Sequence, residues 1–531
     1  MTGSGAEGPA YPLGSHALPV LGSRPALVAI DLGAESCRVS LLRWPSNSVQ
    51  TNAPGLAPTA TPAVAPTITM VRRFANAPWV PERQPDQAPG ADGFRWNLDH
   101  ICEELEAGLR SCAALASEGI ASIGVTGWAV DYVRLDVRDS DVSGKPLAPP
   151  FCYRDPRTNA AFEQVHAIVP PERLYAITGV QIQPINTLYQ LYADKLAGAA
   201  PAPWLNLPEY ILHWLGAPRV AEYTNATHTA LIDPETRNWS DDLFSILDLD
   251  RAAAPRVVAA GSMLGPVRAD LRRLPAFATT QLIAPACHDT ASAIAGIPAG
   301  GHSDRRGNWA YISSGTWSLI GMVLPETHRT PEAGKLGFTN LGAAGGGILF
   351  HRGLPGMWLL RQCLNCWEND RGWSFTELIA EARSLPPSRS LLDLDDPAFV
   401  PPGDMPARIN TQRVRQGAAA LSTDCDAAPL FANLIFRSLA ARYGSLLTDI
   451  ARITDRRPER ICVVGGGSRN DFLNDLTAAA AGIPVERCSV ESSTLGNFAV
   501  QMARLAQNTD GVSADSVSEQ ARILASAHLT A

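Results

Sequence analysis

The sequence predicts a mixed α/β protein with two similar halves and a cleft between them. Two observations support this prediction. The pattern of strand, turn and strand at 26–42 recurs at 308–323, and each half continues into segments whose apolar residues have helical spacing. A chain of 531 residues is long enough for two or three domains.

The first half opens on an apolar strand at 26–30, which ends in Asp31 and turns through Gly33. Residues 37–42 then alternate in the manner of a second strand. The other elements predicted here are a helix at 99–116 and strands at 120–125 and 130–135. This order of strands and helix is typical of a mixed α/β domain.

The second half repeats this opening, with strands at 308–312 and 317–323 on either side of a turn at 313–316. Later elements are a long amphipathic helix at 430–453, a strand at 460–464 and a helix at 471–481, for which Asn470 or Ser468 is the expected N-cap. The repeat indicates an internally duplicated fold.

Composition excludes several classes of protein. The chain has 44 basic and 52 acidic residues, a net charge of −8, and no run of Lys or Arg that would follow a nucleic acid or an anionic membrane. The ten cysteines have no dense spacing, which favours a reducing compartment. With no secretory leader and no long apolar run, we expect a cytoplasmic protein whose partners are small molecules or other chains.

Two segments are predicted to be irregular. Residues 1–24 are rich in Gly, Ala, Pro and Ser and predict a disordered lead. Residues 52–67 contain prolines that are incompatible with a regular strand or helix, and they predict a surface insertion.

The two turns contain the residue types that bind phosphate. Backbone N–H groups of a tight turn and a hydroxyl can hold an anion, and Gly33, Ser36 and Thr316 supply them. A single turn of this kind is usually an ordinary hairpin, but one turn in each half would hold a phosphate tail from both walls of a cleft. Asp31 ends a buried strand, so its carboxylate is expected either to bind Mg²⁺ or to stabilise the turn.

The glycines at 465–467 lie between a strand and a helix, where backbone can approach a ligand closely. Glu486 follows Gly466 at a distance that resembles the ribose-binding acid of a dinucleotide fold. A Rossmann dehydrogenase therefore stays open as an alternative, although these glycines come late in the chain.

Asp289 stands directly before a stretch of small helical residues. One interpretation is a helix N-cap. The other is a general base that accepts a hydroxyl proton while phosphate is transferred, a reaction that otherwise needs positioning and charge stabilisation.

Several strings together resemble the FGGY family of carbohydrate kinases, and within it the rhamnulokinase branch. The resemblance covers roughly 26–501, and it is carried by DLGAESCRV, GWAVDYVRLD, YRDPRTN, TGVQIQPINTLYQL, EYTNATHTAL, CHDTASA, SSGTWSLIG, VVGGGSRN and ESSTLGN. It implies two ribonuclease-H-like domains of the actin, hexokinase and Hsp70 type around a central cleft. It further implies an N-terminal domain at 25–300, a C-terminal nucleotide-side domain at 301–510 and a tail at 511–531.

The resemblance also implies roles for individual residues. Asp289 would accept the proton of the C1 hydroxyl of a ketose, which then attacks the γ-phosphate of MgATP and yields a ketose 1-phosphate. His288 and Thr290 would line the sugar. The residues implied to contact ATP are Ala34, Glu35, Ser36, Cys37, Arg38, Thr316 and Gly466.

Several positions depart from the family pattern. Glu35 stands where Ser is usual and Cys37 where Gly is usual, and Ala129 adds a methyl group where backbone is expected to meet the sugar. Gly353 replaces a sugar-binding Asn, and Arg361 replaces a nucleotide-side Gln. Losing one amide can alter specificity strongly, because a site built on hydrogen bonds rejects ligands that leave groups unpaired.

The substrate prediction follows from the family resemblance and from the positions that depart from it. L-Rhamnulose is expected first, and L-fuculose or another ketose is the alternative. A protein that senses sugar or nucleotide without catalysis is a second alternative, favoured by Glu35, Cys37 and Gly353. We expect a monomer or small homo-oligomer, and we expect the Glu35 side chain to point toward solvent or an arginine.

Overall fold

The computed structural model describes residues 24–45, 65–80, 93–136, 144–299, 308–367, 372–388, 390–507 and 511–530. The lead predicted at 1–24 lies outside these ranges except for its last residue. The insertion predicted at 52–67 also lies outside them except for its last three residues.

The first half is built on a mixed sheet. Within the described residues its strands, numbered along the chain, are β1 (Ala26–Leu32), β2 (Ser36–Arg43), β3 (Thr67–Ala75), β4 (Ile120–Gly127), β12 (Met263–Pro266), β13 (Gln281–Ile283) and β20 (His528–Thr530). Their order is β12-β13-β4-β1-β2-β3-β20. β1 and β2 form an antiparallel pair, whereas β1, β4 and β13 run parallel, so these three strands end at the same edge.

The second half repeats the same arrangement. Its strands are β14 (Trp309–Ser314), β15 (Trp317–Leu324), β16 (Thr339–Gly342), β17 (Ile348–Pro355), β18 (Arg460–Val464) and β19 (Val485–Arg487), in the order β16-β17-β15-β14-β18-β19. β14 pairs antiparallel with β15 and parallel with β18. The antiparallel hairpin is therefore common to both halves, as the sequence predicts, and in each half a third strand runs parallel to the first strand of the hairpin.

The remaining strands form small sheets beside the first half. They are β5 (Tyr132–Asp136), β6 (Lys145–Pro146), β7 (Trp204–Asn206), β8 (Val220–Glu222), β9 (Ile232–Asp233), β10 (Asn238–Trp239) and β11 (Arg256–Val258). Tyr132 of β5 pairs with Asn206 of β7, and this pairing continues the chain from the end of β4 into the small sheets.

Helices cover both sheets. Those of the first half are α1 (Leu98–Leu115), α2 (Thr158–Ile168), α3 (Pro171–Thr178), α4 (Thr187–Leu196), α5 (Leu207–Trp214), α6 (Tyr223–Ala226), α7 (Asp241–Ile246) and α8 (Asp289–Ala295). Those that follow are α9 (Pro331–Lys335), α10 (Trp358–Cys366), α11 (Phe375–Ser384), α12 (Met405–Arg415), α13 (Ala428–Thr454), α14 (Asp471–Ala481), α15 (Ser492–Leu505) and α16 (Ala514–Leu524). Among the described residues, no helix has both the length and the apolar character needed to cross a membrane.

Local sequence accounts for several of these boundaries. α1 buries Ile101, Leu105 and Leu109 on one face, and its N-cap Asn97 accepts a hydrogen bond from the His100 N–H. α14 begins after Asn470, whose side chain accepts from the Leu473 N–H. Asn470 is thus the N-cap, and Ser468 is not.

The chain returns to the first sheet at its end. α15 and α16 pack on the face of that sheet opposite α1, where Phe498 and Met502 are buried with Leu27. The segment named a tail from the sequence, 511–531, contains α16 and β20, and β20 pairs in parallel with β3. An amphipathic helix and an open sheet edge explain this ordering, since both gain by packing and pairing.

Candidate active site

The parallel strands β1, β4 and β13 bring the candidate residues of the first half to one edge of the sheet. The Gly127 N–H donates to the Cys287 carbonyl oxygen at 2.8 Å, and the Trp128 N–H donates to that of Leu32 at 3.1 Å. Asp31, Ala129 and Asp289 therefore lie around the same strand ends. In open α/β sheets this edge is the usual position of a ligand site.

Asp289 is the first residue of α8, and its carboxylate is 38% solvent-accessible. Its Oδ1 accepts from the Thr290 hydroxyl at 3.1 Å, and the Nε2 of His288 lies 3.3 Å from the same oxygen. Burial within the cleft, followed by the nearby charge of Asp31, raises the pKa of Asp289 to about 7. The N-cap position belongs to His288, so the interpretation of Asp289 as a helix cap does not hold.

Asp31 is only 3% exposed. Its Oδ2 accepts from Arg38 Nη1 at 3.2 Å and from the Ser493 hydroxyl at 2.6 Å. Burial raises the pKa of Asp31 even though Arg38 opposes that shift. Both hydrogen bonds use the same oxygen, which leaves Oδ1 as the atom able to face a hydrated cation.

The single carboxylate of Asp31 is compatible with binding of Mg²⁺. Across the described ranges, no group of three or more His, Cys, Asp or Glu side chains is arranged to hold a metal ion. Mg²⁺ retains several waters and commonly binds through one or two carboxylates together with substrate phosphates. A single buried carboxylate is therefore compatible with Mg²⁺ that arrives with a nucleotide.

In the first turn, the Cys37 side chain is buried and is not available to a ligand. Cys37 is fully buried, its thiol faces the Gly33 carbonyl oxygen at 3.6 Å, and burial raises its pKa to about 12. The Ser36 hydroxyl accepts from Arg73 Nε at 2.9 Å. Ala34 is partly buried against the core.

Glu35 points as the sequence predicts. Its side chain is 59% exposed, and its Oε2 lies 3.5 Å from Nη1 of Arg361 on α10. Because Arg361 belongs to the second half, this ion pair crosses the cleft. The prediction that Glu35 faces solvent or an arginine is confirmed.

The candidate residues on the opposite side of the cleft come from the second half. A Cβ on Gly467 would overlap the Ser314 side chain, so the glycine loop and the second turn are in close contact. The Thr316 carbonyl oxygen accepts from the N–H groups of Gly356 and Trp358, which ties the start of α10 to that turn. Thr316, Gly466 and Arg361 are thereby brought to one side of the cleft.

Comparison with known proteins agrees with this arrangement. The model of the FGGY N-terminal domain matches residues 83–296, and the model of the C-terminal domain matches residues 310–505. The chain belongs to the FGGY family of carbohydrate kinases. The predicted family is confirmed, and the Rossmann dehydrogenase is excluded as an alternative.

The curated relatives of this FGGY kinase include rhamnulokinases. It is 34% identical over 422 residues to the rhamnulokinase of Bacteroides thetaiotaomicron, which covers 78% of this chain and 83% of that one. The rhamnulokinase of Enterococcus faecalis is 34% identical over 421 residues, or 77% of this chain and 81% of that one.

Solved structures confirm the predicted fold class. The crystal structure of a ligand-bound xylulose kinase from Lactobacillus acidophilus matches with a TM-score of 0.70 at 16% identity, over 94% of this chain and 92% of that one. At this identity the likeness shows the fold alone, a pair of actin and hexokinase-like domains.

Gly353 of this FGGY kinase lies on β17, two residues from His351. Side chains two residues apart share one face of a strand. His351 is close enough to His288 to help lower the pKa of that imidazole, so the face of β17 that carries Gly353 is directed toward His288. The nearest atom to a Cβ placed on Gly353 would belong to Leu319, at 3.0 Å.

The turn at 128–131 contains features that the sequence did not reveal. Val130 has φ of 71°, which is unusual for a β-branched residue. Its carbonyl oxygen accepts from the Thr187 hydroxyl at 2.7 Å and from Gln190 Nε2 at 3.2 Å. The only sequence signal was the string INTLYQL, which indicated the family but assigned these side chains no task.

The next residue fixes the turn further. Asp131 is fully buried and accepts from the indole N–H groups of Trp96 at 2.6 Å and Trp128 at 2.9 Å, and from Gln190 at 3.1 Å. Burial nevertheless raises its pKa to about 6. These contacts hold rigidly the backbone on which Ala129 sits.

Proposed function

We propose that this FGGY kinase phosphorylates the C1 hydroxyl of a ketose with MgATP, and that the ketose is L-rhamnulose. The observation that carries the proposal is Asp289, a partly accessible carboxylate with a pKa of about 7 at the strand edge of a carbohydrate-kinase cleft. The 34% identity to two rhamnulokinases supports the choice of sugar.

In this proposal Asp289 takes the proton from the sugar hydroxyl. Its Oδ1 is engaged by Thr290 and approached by His288, so Oδ2 is the oxygen that meets the hydroxyl. A pKa near 7 suits an acceptor at neutral pH, because an ordinary aspartate is a much weaker base. Ala129, His288, Thr290 and Gly353 surround the sugar.

The nucleotide is assigned to the opposing turns. Backbone from Ala34 to Arg38 and the Ser36 hydroxyl form one side, and Thr316, Gly466 and Arg361 form the other. Asp31 would hold the Mg²⁺ that arrives with the nucleotide, because its carboxylate is buried at the strand edge. When bound with the nucleotide, Mg²⁺ neutralises charge on the phosphate oxygens.

A ketose panel tests the substrate. Purified protein is given MgATP with L-rhamnulose, L-fuculose and D-xylulose, and ADP release is measured. The highest kcat/KM is expected for L-rhamnulose. L-Fuculose is the alternative, because Gly353 lacks the amide that the family pattern places there, and a higher kcat/KM with L-fuculose would select it.

A base variant separates an enzyme from a sensor. Asp289→Asn is expected to lower kcat by about 10²–10⁴-fold while sugar binding, measured by calorimetry, is retained. Unchanged turnover in this variant would remove Asp289 from the role of base. Absence of turnover with every sugar, despite tight binding of one, would favour the sensor.

The wider assignments follow from the proposed reaction. The partners are the ketose and MgATP, and neither a nucleic acid nor a membrane is among them. We place the protein in the cytoplasm as a monomer or small homo-oligomer, where an aldolase would consume the ketose 1-phosphate.

A further inference from the structure

We propose that His228 is a positioning residue for Asp289, acting through His288. In this proposal His228 donates its Nε2–H to Nδ1 of His288, so that the single proton of the neutral His288 imidazole lies on Nε2, the nitrogen in contact with the Asp289 carboxylate. The catalytic consequence rests on the proposed function, whereas the arrangement of protons does not.

The distances define a short chain of polar groups. Nε2 of His228 lies 3.2 Å from Nδ1 of His288, and the two rings are 4.0 Å apart. Nε2 of His288 then lies 3.3 Å from Oδ1 of Asp289. This series of contacts ends at Oδ1 of Asp289, the oxygen that accepts a hydrogen bond from the Thr290 hydroxyl.

Counting protons fixes the direction in which hydrogen bonds are donated from His228 through His288 to Asp289. A neutral imidazole has one N–H donor and one acceptor nitrogen, and an ionised carboxylate only accepts. If His288 donates from Nε2 to Asp289, its Nδ1 must accept, so His228 must donate to it. In the other tautomer Nε2 would carry no proton while lying 3.3 Å from Oδ1 of Asp289, and two electron-rich atoms at that distance repel each other.

Burial keeps the histidines neutral, so that the tautomer is a real choice. It lowers the pKa of His288 to about 3, with His351 contributing, and it lowers that of His228 well below the usual value. The Nδ1 of His351 is not a rival hydrogen-bond partner for His228 or His288, because it faces the Tyr311 hydroxyl at 2.8 Å.

The segment that carries His228 also holds the backbone of His288. Glu222 Oε2 accepts from the Cys287 N–H at 2.9 Å, and the Thr224 hydroxyl oxygen accepts from the His288 N–H at 3.4 Å. On the same segment, the His228 carbonyl oxygen accepts from Asn186 Nδ2 at 3.2 Å. The string EYTNATH thus fixes both the main chain and the imidazole beside the base.

Two substitutions separate hydrogen bonding from packing. His228→Leu removes the donor, whereas His228→Gln keeps an N–H that can reach Nδ1 of His288. We expect His228→Leu to lower kcat by about 10–100-fold and to move the acid limb of the pH profile to higher pH, while KM for ATP is unchanged. His228→Gln is expected to restore kcat to within about fivefold of the unmodified enzyme, since it keeps the donated bond.

A matched control uses another buried histidine. His213, on α5 of the first half, contacts the Ala217 carbonyl oxygen. It makes no contact with His228, His288 or Asp289 among the hydrogen bonds given above. His213→Leu has the same loss of side chain, and it is expected to leave kcat and the pH profile unchanged. Equal losses in His213→Leu and His228→Leu would reduce His228 to a packing residue and overturn the proposal.

Side-chain nitrogen NMR of histidine-labelled protein tests the arrangement without turnover. The His288 signals are assigned by their disappearance in His288→Asn. Protonation at Nε2 in the unmodified protein, lost or mixed in His228→Leu, supports the proposal; protonation at Nδ1 in the unmodified protein refutes it. This result stands even if no sugar is phosphorylated, so failure of the proposed function and failure of this inference are distinguishable.

Discussion

At the scale of single residues, the environment of Asp289 determines what it can do. Burial is the larger cause of its raised pKa and the charge of Asp31 is the second, so its charged form is disfavoured by both. A general base works best when its pKa lies near the working pH. The same environment therefore makes Asp289 a stronger base than an ordinary aspartate and exposes it to protonation under mildly acidic conditions.

The pH dependence of the reaction follows with a definite sign. Lowering the pH through about 7 protonates Asp289 and removes the base, so kcat/KM for the sugar is expected to fall about tenfold for each further unit of acidity. Above that pH it should be level. Initial rates at saturating MgATP, measured from about pH 5 to about pH 9, check this prediction. A level profile down to about pH 5 would mean that Asp289 titrates like an exposed aspartate.

Two adjacent glycines offer a test of the nucleotide assignment. Apart from its two neighbours in the chain, a Cβ on Gly466 meets no atom of the described residues within 4 Å, whereas one on Gly467 would overlap Ser314. Gly466→Ala is therefore expected to leave Tm unchanged and to raise KM for ATP, because only a ligand can collide with the new methyl group. Gly467→Ala should lower Tm. An unchanged KM for ATP in a stable Gly466→Ala protein would remove Gly466 from the nucleotide site.

At the scale of elements, α15 connects several parts of the site. Ser493 donates to Asp31, and Asn497 Nδ2 donates to the Ile30 carbonyl oxygen at 3.3 Å. Gly496 permits close packing on α8, since a Cβ there would overlap the Ser292 carbonyl oxygen. One helix thereby fixes the end of β1 and supports the helix that begins with Asp289.

Local pattern was enough to predict some elements accurately and others only in part. The strand at 460–464 and the helix at 471–481 have the predicted bounds, because glycines and a cap mark them. The predicted strand at 130–135 begins instead at Tyr132, because Val130 has a left-handed backbone that no periodicity announces. The return of α15 to the first sheet was not predictable either, since apolar spacing shows that a helix packs but not which sheet it packs on.

The strained turn at Val130 gives a prediction for α4. Thr187 donates to the Val130 carbonyl oxygen, so removing its hydroxyl should let the peptide relax and shift Ala129. Thr187→Val is expected to raise KM for the sugar about 5–20-fold with little change in KM for ATP, the loss of one buried hydrogen bond being about 1–2 kcal/mol. Thr187→Ser retains the hydroxyl and is the control. Equal sugar KM values in both variants would contradict the prediction.

At the scale of the whole molecule, the family resemblance predicted more than composition could. It implied two domains around a central cleft, and the contact between Glu35 of the first half and Arg361 of the second half agrees with that arrangement. The domain division between residues 300 and 301 stays a prediction. The sequence did not reveal Thr187 and His228, because each contacts a residue that is distant from it along the chain.

The ion pair between Glu35 and Arg361 joins two positions that each depart from the family pattern. Both side chains are about 60% exposed, so the pair itself adds little stability. If the nucleotide binds where we propose, the pair matters for charge balance, because each residue neutralises the other close to an anionic ligand. The two departures are thus best understood as a compensating pair.

A double-mutant cycle tests this compensation. Arg361→Gln leaves Glu35 unbalanced beside the phosphates, so KM for MgATP is expected to rise about 2–5-fold, and Glu35→Ser frees Arg361 and should lower it by a similar factor. The double variant should return close to the original value, and both single effects should shrink at high ionic strength because these charges are exposed. Steady-state KM values at low and high salt, with KM for the sugar as the internal control, measure the cycle. Single effects of the same sign, or effects that persist unchanged in high salt, would show that the two side chains act on the nucleotide independently.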